Sequence, residues 1–148
     1  MADRYFNPFQ GIDLTVPVEY HDDMVRYSQR EGKAILDQSP FPRMIDLWFA
    51  ALCVAARLKF GPVDYSKSET RKFQEGSILS SDPWRVHTIM LIAIAHTDSV
   101  EVVAEPRKML TIASGLAVAG LPRVLEMIKD GTGDPIWNLS DAVAAMIQ

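Results

Sequence analysis

SPFPRMIDLWFAALCVAARLKFGP, residues 39–62, is where the chain commits itself to a helical core. Between Met44 and Ala56 the only polar residue is Asp46. A helix apolar along one stripe lies on a surface, whereas one apolar all round is buried. The ends read as helix ends. Pro42 suits a first turn, where its missing N–H costs nothing. Arg57 and Lys59 favour the carbonyl end of the dipole, and Gly61-Pro62 is a stop. A membrane span takes about 20 apolar residues; this run is shorter and flanked by charge. It reads as the central helix of a core, with Trp48, Phe49, Leu52 and Cys53 at its waist.

Toward the C-terminus, Gly61–Asp82 is the most polar long segment and reads as a loop, with a helical turn over Ser66–Phe73 and Ile78 and Leu79 as anchors. Asp82-Pro83 is a helix start, with Asp as cap and Pro in the first position. That helix runs to about His96, and its wholly apolar interior, Ile89–Ala95, makes it a second buried helix. Val100–Val103 stays open between a strand and a short helix. Met109, Ile112, Ala113, Leu116 and Ala117 follow the helical repeat, between a start at Pro106 and a stop at Gly120. Pro122–Lys129 reads as a further short helix, with Leu121, Leu125 and Ile128 inward. Asn138, with Asp141 three residues on, predicts the cap of a last helix, docked by Leu139, Val143, Met146 and Ile147.

Toward the N-terminus, Pro17–Leu36 reads as a first helix, weakened by Gly32, and Gln38–Phe41 links it to the central one. Residues 1–16, with Tyr5, Phe6 and Phe9, read as an extended arm that packs on its own core or on a neighbouring subunit. The expectation is an all-α protein: one compact domain, 17–148, of five or six helices, with the arm 1–16 ahead of it.

A chain of 148 residues is most simply one domain. Its formal charge of −4 argues against broad affinity for nucleic acid or anionic lipid. The single cysteine, Cys53, excludes an intrachain disulfide and fits a reducing cytoplasm. MADRYFNPFQG lacks the charged and apolar regions of a secretory signal. The expected location is therefore cytoplasmic.

Reactive constellations are few. His87 and His96 are nine apart on one helix, half a turn out of phase, so they cannot ligate one ion together. His21-Asp22-Asp23 reads as a solvated acidic helix start. Cys53 with either of those two histidines is a conceivable dyad, but a thiol in mid-helix among Leu52, Val54 and Ala55 reads as buried and structural. Ser114, in IASGLA, lacks the strand–turn–helix context of a nucleophile elbow. Gly131-Thr132-Gly133 follows a helix and lacks the remaining residues of a phosphate loop. No catalytic residue, metal or cofactor is expected. Arg57, Lys59, Lys67, Arg71 and Lys72, with Tyr65 and Phe73 nearby, form the candidate nucleic-acid contact. Asp64, Glu69 and Glu75 are interleaved and cancel much of its field.

FPRMIDLWFAALCVAARLKFG, FQEGSILSSDP, IASGLAVAGL and IWNLSDAV together resemble the dnd system-associated proteins, a small family encoded beside bacterial DNA phosphorothioation clusters. The resemblance spans Pro40 to Ile147. It implies a bacterial, cytoplasmic accessory protein of an anti-phage defence system. Such a protein would be non-catalytic and act through protein partners, with self-association also open. The alternative is a nucleic-acid-contacting subunit.

Overall fold

The computed structural model describes residues 6–29 and 37–148. The central helix forms as its sequence predicts: α2 runs Met44–Arg57 and buries Ile45, Leu47, Trp48, Phe49, Ala51, Leu52 and Ala55. Its start is held by the Arg43 backbone N–H, which donates to Asp46 Oδ2 at 2.9 Å. That bond satisfies an amide the helix itself leaves unpaired. Cys53 corrects the expectation of a buried thiol, since it lies on the exposed side of the helix.

Across α2 lies α4, Pro106–Lys129, and the two share the most extensive helix contact of the fold. Met109, Ile112, Ala113, Leu116 and Ala117 are all buried, as their spacing demands. Where two helices were expected, α4 is one. Gly120 lies in its middle because the α2 backbone at Ala51 occupies the place of a Cβ. Pro122 sits on the exposed side, so the ring meets solvent and only one helical N–H is forgone. α4 is long and apolar enough to cross a membrane, but 72% of its apolar window is buried by the rest of the fold.

The fold is mostly helical without being all-α. A two-stranded antiparallel sheet pairs β1, Asp13–Pro17, with β2, Thr70–Glu75. A bulge interrupts it between Leu14 and Thr15. β1 turns Leu14 and Val16 into the core. β2, TRKFQE, carries one apolar residue and lies in the segment that reads as a loop. Phe9 is buried in the core and Phe6 is exposed; residues 1–5 of the N-terminal arm lie outside the described part.

α1 is Val18–Arg26, shorter than predicted at both ends, and residues 30–36 of the predicted helix lie outside the described part. It ends because the backbone at positions 27–29 is taken elsewhere. Phe41 N–H donates to Tyr27 O at 3.1 Å, and Gln29 N–H donates to Phe41 O at 2.7 Å. Short 3-10 helices cover Gly76–Ser81 and Val100–Ala104. α3 is Pro83–Thr97 and α5 is Pro135–Ile147. α5 starts before the predicted cap. Asn138 instead donates to Ile128 O and Gly133 O, both at 3.0 Å, and accepts from Gly133 N–H at 3.1 Å. It clips the α4–α5 loop shut. Leu139 packs against the core, while Ile147, expected inward, is exposed.

Candidate interaction surface

α3 meets the core through Val86, Ile89 and Ala93. Its opposite stripe is open: Trp84, His87, Leu91 and Ala95, spaced three and four apart, all face outward. Trp84 is 55% exposed and Leu91 65%. The predicted burial of the whole Ile89–Ala95 run is therefore corrected, because the core reaches only one side of the helix.

Trp84 is also fixed in place. Phe49 of α2 meets it edge to face, with ring centroids 5.2 Å apart. The Arg85 guanidinium lies 4.8 Å from the Trp84 ring and 5.0 Å from the Phe49 ring, within the range of a cation–π contact. Arg85 is itself buried and held by carboxylates. Its Nη2 donates to Asp46 Oδ1 at 2.6 Å, and its Nε lies 3.7 Å from Asp82 Oδ2. Arg43 completes a ring of alternating charge, 3.2 Å from Asp46 and 3.3 Å from Asp82. Asp82 thus spends its side chain on the two arginines rather than on the α3 amides. Burial pushes the Asp46 carboxyl up, but hydrogen bonds and charge from Arg43 and Arg85 outweigh it and leave the group below its ordinary value.

The five predicted cations are all exposed but are spread over three places: the end of α2, the loop ahead of β2, and β2 itself. Arg57 is at the last turn of α2, within 3.5 Å of the Met146 carbonyl of α5. Lys59 follows that helix, with φ of 61°. Lys67 is in the loop ahead of β2, and Arg71 and Lys72 are adjacent in β2, so they point to opposite faces. Arg71 meets His21 of α1 at 3.4 Å, while Lys72 is bridged to Asp13 and Glu75, each at 3.2 Å.

Burial raises the Cys53 thiol above its ordinary value, with partial relief from the nearby Arg85 charge. Among the described residues no hydrogen bond joins Cys53 to His87 or His96, and no group of three or more His, Cys, Asp or Glu side chains is placed to hold a metal ion. The exposed stripe was missed at the sequence level, although one signal was present. A 15-residue helix with apolar residues on all sides, beginning with Pro-Trp-Arg, holds more apolar surface than one contact can cover.

No family model, no curated protein and no solved structure matches this chain.

Proposed function

We propose that this is a non-catalytic accessory protein that works by binding another protein, with the outer stripe of α3 as its contact. The observation that carries the reading is Trp84 and Leu91, two turns apart on one helix face and both more than half exposed. Interfaces draw most of their energy from a few anchors, with tryptophan prominent among them. The Phe49 and Arg85 contacts hold the indole before any partner arrives, which reduces the ordering cost of binding. The partner is a protein with an apolar groove for Trp84 and Leu91. The dnd-associated resemblance supplies a setting, a cytoplasmic accessory role in bacterial DNA modification or anti-phage defence. Nucleic-acid contact is less favoured, because it asks Arg57, Lys59, Lys67, Arg71 and Lys72 to act together, and Lys72 is already held by two carboxylates.

A photo-crosslinking residue in place of Leu91, in the native cells, tests this. One protein adduct formed from position 91, absent from a control at Ser140, and lost with Trp84→Ala, is expected. No adduct, the same adducts from both positions, or crosslinks to nucleic acid overturn the reading.

A further inference from the structure

Ser114 is 7% exposed, makes no hydrogen bond through its side chain among the described residues, and lines a cavity of about 510 Å³. Its hydroxyl oxygen is not among the buried polar atoms closed to water, so it opens into the cavity, where water or a ligand can bond to it. The cavity lies between β1, the 62–66 segment and the first half of α4, and its volume is that of a small-molecule site.

Its walls divide by chemistry. Ile12, Pro62, Val63 and Leu110 form an apolar middle. At one end stands Arg107, which also lines a neighbouring cavity of about 580 Å³. Arg107 has no ion pair among the described residues, whereas Lys108 beside it is bridged to Glu105 at 3.8 Å. Arg107 also lies in the first turn of the 24-residue α4, whose start has no side-chain cap. Open amides and the positive end of the dipole add to its charge there. Two carboxylates also line the cavity: Asp13 is bridged to Lys72 at 3.2 Å, while Asp64 accepts from the Ser66 backbone N–H at 3.0 Å and keeps its charge on the solvent-exposed rim.

Arg107 and Ser114 are seven residues apart on α4. That spacing puts them on one face, about 10 Å apart along the axis, with Leu110 and Thr111 between them. We infer that this cavity binds a small organic carboxylate: an acid group at Arg107, an apolar body along Leu110 and Val63, and a hydroxyl or carbonyl oxygen at Ser114. The site lies apart from the α3 stripe and does not depend on the protein-binding reading.

The test is an NMR titration of the full chain with 8-hydroxyoctanoate, with octanoate and octane-1,8-diol as comparison probes. Saturable shifts at the Val63, Tyr65, Leu110 and Ser114 amides are expected. Ser114→Ala should weaken 8-hydroxyoctanoate about fivefold, the worth of one neutral hydrogen bond, and leave octanoate unchanged. Arg107→Met should weaken both acids about tenfold or more and leave the diol unchanged. Absence of saturable shifts at those amides in the wild-type chain overturns the site, as do shifts confined to the Trp84 and Trp137 surfaces. Equal weakening of octanoate by Ser114→Ala, or indifference of the acids to Arg107→Met, overturns the assigned ligand class.

Discussion

Gly120 of α4 lies against the main chain of Ala51 of α2, so close that a Cβ on Gly120 would fall on the Ala51 carbonyl. The most extensive helix pair of the fold crosses at this point of backbone contact. In an exposed helix, Gly→Ala stabilises by about 1 kcal/mol. Here the sign reverses: Gly120→Ala must push α2 and α4 apart and should cost about 1–3 kcal/mol. Urea unfolding measures it, and a stabilised variant would show that the helices do not meet this way.

The ring formed by Arg43, Asp46, Asp82 and Arg85 predicts a pH dependence. The Asp46 carboxyl lies below its ordinary value in the folded chain. Its contribution to stability is therefore complete above the ordinary carboxylate pKa and is lost as pH falls through the lower folded value. Asp46→Asn should lose about 2 kcal/mol at neutral pH, because buried Arg85 keeps a neutral acceptor but loses the nearer of its two countercharges. The variant's stability should then fall less steeply in acid than that of the wild type. Parallel curves of stability against pH for the two proteins would remove Asp46 from the linkage.

The three tryptophans report the surface independently. Trp48 is fully buried, while Trp84 and Trp137 are exposed. Acrylamide should quench two components of the emission and spare a third, and Trp84→Phe and Trp137→Phe should each remove one quenchable component. Uniform quenching of all three would contradict the packing around Trp48.

Cys53 lies on the exposed side of α2, yet its thiol is partly shielded from water and poorly ionised. Because burial lifts its pKa, alkylation at pH 7.5 should run slower than for a free cysteine. The rate should still be climbing at pH values where the free thiol has levelled off. A fast, low-pH reaction would revive the dyad that the geometry gives no reason to invoke.

Asn138→Ala should open the α4–α5 loop. Its amide group joins Ile128 and Gly133, so its loss should cost about 1–2 kcal/mol. Hydrogen exchange should quicken first in α5, where no residue is fully buried.

The elements legible in the sequence are those whose pattern is local. α2 announces itself by its apolar run, α4 by the spacing from Met109 to Ala117, and the start of α3 by Asp82-Pro83. What stayed hidden depends on neighbours distant in the chain. TRKFQE becomes a strand because Asp13–Pro17 lies beside it, and its own alternation holds only Phe73. Gly120 reads as a stop and Pro122 as the start of a further helix, although one serves a helix crossing and the other faces solvent. Asn138 has the chemistry of a cap and spends it on the preceding loop. For the candidate contact, the wholly apolar Ile89–Ala95 run reads as buried all round, and only the shape of the core reveals that Trp84 and Leu91 stay more than half exposed.

The pairing of Val16 with Arg71 has a consequence for how the chain assembles. The two strands enclose α1 and α2 between them in the sequence, so the sheet forms only when a long loop has closed. Helical turns nucleate locally in well under a millisecond. Refolding should therefore be slower than for a helical bundle of the same length, with strand closure setting the pace.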